Sequence, residues 1–447
     1  MPSVAARLNR LPVTRTHRFI VAIAGVGTFF DLFDIFLAGV LGTVLTDQFQ
    51  LSRVALPAVL GSGFLGMFVG AVSLGAFADR VGRRRAFLVT LGVYSVFTLA
   101  GAFATSAAGL IVLRFLAGIG IGAEPPLVDA YLGEMLPPRE RGRYSAIAYT
   151  FGFLAVPVVG FLARVLVPMA PLGVAGWRWL FVTGGLGGAI VWVLRQQLPE
   201  SPRWLESVGR TAEANTIASR IEAEASRFAT LQAPSESDRP APASAGLAAL
   251  FDREYRGRTI VLCVFHLFQT VGYYGFGTLV PIVLTAKGFT IVHSLTYTAV
   301  VLLGYPVGSA LSIFVVERID RRWLIVSGAA LMAAFGLALG VADTPAWIIV
   351  TGFSYTVVSN LFSNAFHVFQ AEIFPTFIRT TAAGTAYALS RLSSAAMPFV
   401  LLPVLNTRGA TAMFSAVAIA MLIVVVDIGF FAPSTTGLTL EQVAHRR

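Results

Sequence analysis

Seven ionisable side chains stand inside otherwise apolar stretches of the chain: Asp31, Asp34, Arg114, Glu124, Asp129, Arg391 and Asp427. A charge held in such a stretch costs several kcal/mol unless it is paired, and by default it marks a pathway for ions or substrate. Asp31 and Asp34 are three residues apart and share one face of a helix. Two carboxyls so placed resist joint ionisation, and a carboxyl that takes up and releases a proton near neutral pH is what proton coupling requires. Arg391 offers a planar fork of donors that suits a carboxylate, which points to an anionic substrate; the alternative is a pairing with Asp31 or Glu124. Glu124 directly precedes Pro125-Pro126, a pair expected to kink or break its helix and to leave freed backbone groups beside a cavity. It is a third candidate for proton or substrate contact, or else the partner of Arg391. Five residues separate Glu124 from Asp129, so these two do not share a helical stripe, and Asp427 reads as structural.

Gln269, Tyr273, Tyr274, Asn360, Asn364, His367 and Gln370 are the main polar groups of two further apolar segments. Asn360, Asn364 and His367 follow i, i+4, i+7 and share a face, which makes them a candidate substrate-binding surface; a buried packing role is the alternative for His367. No metal-ligand spacing, nucleophile motif or phosphate loop is present. The run Gly118, Gly120, Gly122 lacks the strand that a dinucleotide fingerprint needs and suits close helix packing. The expected metal is therefore none and the expected cofactor none, with protons as the coupling ion.

The elements that must position these groups follow from composition. Of 447 residues 56% are hydrophobic and 13% charged, against roughly 25% charged in a soluble domain; mean hydropathy is +0.76. So few charges cannot coat a water-facing shell, and the chain reads as an all-α polytopic membrane protein. A spanning helix needs about 20 apolar residues. That ruler gives twelve segments: 19–46, 55–78, 86–105, 107–133, 145–169 and 179–198, then 258–285, 293–316, 323–341, 345–371, 379–405 and 409–432. The first is too long for a signal-peptide core and is expected to be retained. With the N-terminus inside, 26 basic residues fall on the inner side and five (Arg53, Arg164, Arg178, Lys287 and Arg408) on the outer. The positive-inside rule then puts both termini in the cytoplasm. The net charge of +10 lies between spans and not on one soluble face, so it does not imply nucleic acid. One cysteine, Cys263, excludes an intramolecular disulfide.

The chain repeats itself. Glu134-Met-Leu-Pro137-Pro-Arg-Glu-Arg141 returns 238 residues later as Glu372-Ile-Phe-Pro375-Thr-Phe-Ile-Arg379, and Asp79-Arg80-Val-Gly-Arg83-Arg84 returns at the same offset as Glu317-Arg318-Ile-Asp320-Arg321-Arg322. Two motifs in one register indicate tandem halves, a standard way to build a transporter. The boundaries are 1–198 for the first six-helix bundle, 199–257 for a cytoplasmic linker, 258–432 for the second bundle and 433–447 for a tail. Ala212 to Leu231 suits surface helices, and the Pro-containing stretch after it reads as a tether.

Gly75-Ala-Phe-Ala-Asp79-Arg80-Val-Gly82-Arg83-Arg84-Arg85 resembles the signature loop of the major facilitator superfamily. Arg114-Phe-Leu-Ala-Gly118-Ile-Gly120-Ile-Gly122 and Pro199-Glu200-Ser201-Pro202-Arg203-Trp204-Leu205 are similar to its sugar-porter and organic-ion branches. Asp31-Leu-Phe-Asp34 and Arg391-Leu-Ser-Ser-Ala-Ala-Met-Pro398 resemble motifs of its aromatic-acid and related metabolite:proton symporters. The seventh span, His266-Leu-Phe-Gln269-Thr-Val-Gly272-Tyr273-Tyr274, departs from the sugar-porter pattern in lacking the matching Asn, and the second signature loop has Asp320 where the first has Gly82. The resemblance implies two six-helix bundles around a central cavity, with spans 7 and 10 lining it. It implies Asp34–Arg114 as the coupling pair, with Asp31 and Glu124 as further proton-coupling candidates. It also implies a cytoplasmic gate of Asp79, Arg83, Glu134, Arg141, Glu200, Glu317, Arg321, Glu372 and Arg379. The expected function is secondary transport by alternating access in a cell (inner) membrane by a functional monomer, as a proton symporter of a small organic anion such as an aromatic or other carboxylate. The alternatives are a sugar or polyol symporter and, from another class, a membrane receptor without transport; an enzyme is not expected.

Overall fold

A computed structural model of the chain describes residues 3–233, 247–315, 318–374 and 376–433. Among these residues every regular element is helical, the form that satisfies all backbone groups inside a lipid-facing segment. The membrane helices of the first half are α1 (Arg15–Val40, continued by Gly42–Phe49), α2 (Ala55–Val81), α3 (Arg83–Gly101), α4 (Ala107–Met135), α5 (Arg141–Phe153, continued by Ala155–Leu166) and α6 (Gly176–Arg195). Those of the second half are α7 (Arg256–Ala286), α8 (Ile291–Leu302, continued by Gly304–Val315), α9 (Arg321–Val341) and α10 (Pro345–Glu372). The last two, α11 (376–408) and α12 (410–431), form one long run bent at Gly409, whose φ of +81° turns the chain.

Ten helical stretches are long and apolar enough to cross a membrane. The stretch Thr381–Phe431 holds two crossings because of the bend at Gly409. The 19-residue α3, made less apolar by Arg83, Arg84 and Arg85 at its start, completes twelve. Local chemistry sets the starts. Thr14 accepts from His17 N while the His17 ring accepts from Thr14 N, a reciprocal cap on α1; Ser106 caps α4 through Gly109 N at 3.1 Å. Pro125 and Pro126 do not break α4, which runs unbroken from Ala107 to Met135. The bundle tolerates the lost backbone donors because α4 is pressed against α2: a Cβ at Gly118 or Gly122 would strike the backbone of Gly63 or Met67.

The two halves close on each other at the end of the bundle remote from Arg15, the start of α1. There a Cβ at Gly39 would lie 2.5 Å from Thr278 Cα, one at Gly61 would lie 2.5 Å from the Ala395 carbonyl oxygen, and one at Gly160 would lie 2.9 Å from Ala299 Cα. Phe153 stacks on Tyr305 across the same seam, with ring centroids 6.2 Å apart. Among the described glycines, every approach this close between the halves lies at that end.

At the opposite end a short helix, Val4–Asn9, lies on the helices Pro202–Ser207 and Thr211–Ala225 of the segment joining the halves. Arg7 donates to Asn215 Oδ1 (2.6 Å), Ser219 Oγ (2.7 Å) and both Glu222 oxygens, and Arg10 donates to Glu222 Oε1 (2.7 Å). Burial alone would raise the Glu222 carboxyl, but the hydrogen bonds from Arg7 and Arg10 hold it below its ordinary value. Such a group contributes its full stabilisation above its unfolded value, about pH 4–5, and loses it as pH falls through the lower folded value. Hydrogen-exchange protection of residues 4–9 is expected to be constant over about pH 6–8 and to collapse at neutral pH in Glu222→Gln. A protection factor that follows pH across that neutral window would contradict the ion pair as its source.

Candidate functional site

The first half buries three carboxyls and two guanidiniums in one neighbourhood. Asp34 Oδ2 accepts from Arg114 Nη1 at 2.8 Å, and both side chains are almost wholly enclosed (2% and 5% exposed). Thr98 Oγ1 donates to the other Asp34 oxygen at 3.0 Å, and Arg114 Nη1 also reaches the Asp34 backbone carbonyl at 3.3 Å. Arg114 can pack there because Gly63 leaves room: a Cβ at that position would lie 3.0 Å from Nη2. A cavity of about 10 Å³, lined by Asp34, Gly63, Arg114 and Gly118 among others, adjoins the pair and is on the order of one water.

Glu124 does not meet Arg391. It forms an ion pair with Arg195, the last residue of α6, each side chain being 1% exposed, and it accepts from Thr90 Oγ1 at 3.1 Å. The Arg195 guanidinium also lies over the Phe87 ring, 4.2 Å from its centroid. Asp31 is buried, and its Oδ1 has no hydrogen-bond partner among the described residues. Asp129 is exposed and accepts from Tyr149 Oη at 2.6 Å.

Arg195 is the site residue that sequence reasoning passed over. It sits at the inner end of a span followed by Gln196 and Gln197, so by position it looks like one more arginine of the positive-inside set. The available signal was the uninterrupted apolar run Ala189 to Leu194 just before it, which leaves its stem within the bundle.

In the second half Arg391 is buried, with its guanidinium 4.4 Å from the Tyr387 ring centroid and 5.0 Å from that of Tyr274. It donates to Tyr387 Oη, while its Nε and Nη1 have no hydrogen-bond partner among the described residues. The expected alternative, an acid from the other half, is absent there: Asp31 and Glu124 both lie with Arg195. Tyr273 and Tyr274 pack edge to face at 4.9 Å, and Gln269 is buried with its Oε1 unpartnered. His367 is exposed and stacked on Phe366 at 4.4 Å. It begins a chain in which Gln370 bridges His367 Nδ1 (3.3 Å) and His266 Nε2 (3.1 Å). Asn360 and Asn364 turn away from this group. Asn360 donates to the Tyr305 carbonyl at 2.5 Å and Asn364 to Ser312 Oγ at 2.6 Å, so both tie α10 to α8. The shared face of the i, i+4, i+7 stripe is thus spent on helix packing at its first two positions.

At the end that bears Val4–Asn9, Arg83 meets Glu134, Nη2 to Oε1 at 2.8 Å. Glu200 Oε1 accepts from the backbone N–H groups of Arg83 (2.8 Å) and Arg84 (3.2 Å), an anion at the positive end of α3. Arg141 donates to the Leu136 carbonyl at 3.4 Å, and Arg321 opens α9 behind the capping Asp320. Glu317 and the side chains of Asp79, Glu372 and Arg379 lie outside the described residues. Among the described residues no group of three or more His, Cys, Asp or Glu side chains is arranged to hold a metal.

The chain and its fold resemble known proteins. The family model for sugar (and other) transporters matches residues 20–446. YyaJ of Bacillus subtilis is 33% identical over 396 residues, covering 88% of this chain and 87% of its own. The niacin transporter NiaP of Acinetobacter baylyi is 28% identical over 446 residues, covering 98% and 99%. The gallate transporter of Pseudomonas putida is 28% identical over 389 residues, covering 87% and 85%. Among solved structures, the partially occluded inward-open xylose transporter XylE of Escherichia coli superposes with a TM-score of 0.78 at 21% identity, over 94% of this chain and 99% of that one.

Proposed function

The chain belongs to the sugar (and other) transporter family of the major facilitator superfamily, a membrane transporter and not an enzyme, and from that premise we propose that it is a proton-coupled symporter of a small organic anion. The observation that carries this is Arg391: a buried guanidinium whose Nε and Nη1 have no hydrogen-bond partner, and which has no acid paired to it, among the described residues, lying against the faces of Tyr274 and Tyr387. A cation left without a counterion in a low-dielectric interior is costly and is stabilised when an anion arrives. Two flanking aromatic rings favour a planar anion, such as an aromatic carboxylate. Relatives named for niacin and for gallate transport support that class, since both molecules are ring carboxylic acids.

Coupling rests on Asp34–Arg114. Breaking a buried ion pair by neutralising one partner costs about 3–5 kcal/mol, enough to move a two-state equilibrium by two to three orders of magnitude. A change of one proton in the buried cluster that contains this pair is therefore sufficient to bias the rocking of the halves. The arginine bias favours a cytoplasmic placement for the end at which α1 begins, and Arg83, Glu134 and Glu200 at that end belong to the gate that must rearrange in alternating access. A sugar or polyol remains the second reading because the buried, unpartnered Gln269 Oε1 would accept from a hydroxyl.

Purified protein in proteoliposomes, offered a panel of aromatic acids, aliphatic acids, sugars and organic cations, separates the two. Uptake with proton influx for ring carboxylates supports the anion reading. Uptake confined to sugars or polyols overturns it.

A further inference from the structure

The buried charges of the first half do not balance. Asp31 and Asp34 on α1 and Glu124 on α4 face Arg114 on α4 and Arg195 on α6, and each of the five side chains is 5% exposed or less. Among the described residues, the other elements packed here bring neutral groups: Thr90, Tyr94 and Thr98 from α3, and Tyr149 from α5, which donates to the exposed Asp129. Asp34 is matched to Arg114 and Glu124 to Arg195, which leaves one carboxyl over. Asp31 is that carboxyl: its Oδ1 is unpartnered, and the charges acting on it are those of Glu124, Arg195 and Asp34.

We propose that Arg195 is a positioning residue that sets the proton load of this cluster at one, by neutralising Glu124 and leaving Asp31 as the carboxyl that is loaded. The inference rests on the proton-coupled reading above. A cluster of three carboxyls and two guanidiniums is neutral with one bound proton, and neutrality is what a low-dielectric interior favours. The proton moves without any bond change elsewhere: the Asp31 carboxylate takes it from water on the side that is open and returns it to water on the other. Arg195 touches no substrate in this scheme. It decides how many of the acids stay ionised.

The test is a charge-balance series in proteoliposomes, with proton influx and substrate uptake counted together and pH profiles recorded. Asp31→Asn leaves two acids against two arginines, so substrate-linked proton influx is lost while counterflow exchange remains measurable. Arg195→Gln leaves two surplus acids, and the proton dependence steepens towards two per substrate. The double variant Asp31→Asn/Arg195→Gln again has one surplus acid, now Glu124, and regains proton-linked uptake that Asp31→Asn alone lacks. Glu124→Gln/Arg195→Gln removes a neutral pair and keeps one proton, which guards against misfolding of the single variants. A double variant as uncoupled as Asp31→Asn, with Arg195→Gln titrating like the unmodified protein, overturns the inference. Absence of proton influx in the unmodified protein overturns the proton-coupled reading instead, so the two failures are distinct.

Discussion

Replacing Arg391 with Ala is expected to weaken binding of a carboxylate substrate by about 2–5 kcal/mol, tens- to thousands-fold in Kd. A neutral amide or ester of the same ring is expected to lose much less. The size follows from enclosure: Arg391 is buried between Tyr274 and Tyr387, so a bound anion and the guanidinium interact without intervening bulk water. Arg391→Lys should fall close to Ala, because an ammonium cannot make the bidentate contact and stacks poorly on the rings. Binding measured by calorimetry on detergent-solubilised protein, with acid and amide in parallel, checks this. Equal losses for both ligands would mean that Arg391 shapes the helix and does not read the charge.

Asp34→Asn has the next largest effect. The variant keeps the shape of the side chain but removes the charge opposite Arg114, 2.8 Å away, and it leaves the cluster with two carboxyls against two guanidiniums. Accumulation against a gradient is expected to fall by at least about two orders of magnitude, the equivalent of about 3 kcal/mol of coupling. Counterflow exchange, which needs no net proton movement, should survive at a reduced rate. Transport of radiolabelled substrate into acid-outside and pH-balanced vesicles separates the two quantities. Unchanged uphill uptake in the variant would remove Asp34 from the coupling step.

Architecture was legible because it is written redundantly. Twelve apolar stretches, a repeat at one register and a biased arginine distribution each point to the same fold, and each draws on many residues. The Asp34–Arg114 contact was legible only through resemblance; nothing in the spacing of residues 80 apart brings them together. Arg195 was hidden by the rule that located the spans, since an arginine at a helix end counts as a topological signal whether its side chain turns out to water or in to Glu124. The Pro125-Pro126 pair misled because a local rule about backbone donors ignores the packing of α4 on α2 through Gly118 and Gly122. Asn360 and Asn364 misled in the opposite way: periodicity identifies a shared face correctly but not what that face meets, and here it meets Tyr305 and Ser312 of α8. Sequence periodicity reports which side chains travel together. Only the packing of the second helix decides whether they bind substrate or hold the bundle.

The most direct test of the central claim is substrate accumulation in proteoliposomes driven by an imposed pH gradient, with the internal pH recorded in the same vesicles. An acidic exterior should drive a ring carboxylate inward above its external concentration, acidify the lumen in step with uptake, and lose both effects when a protonophore collapses the gradient. Uptake that only equilibrates the substrate and leaves the internal pH unmoved would contradict proton-coupled symport.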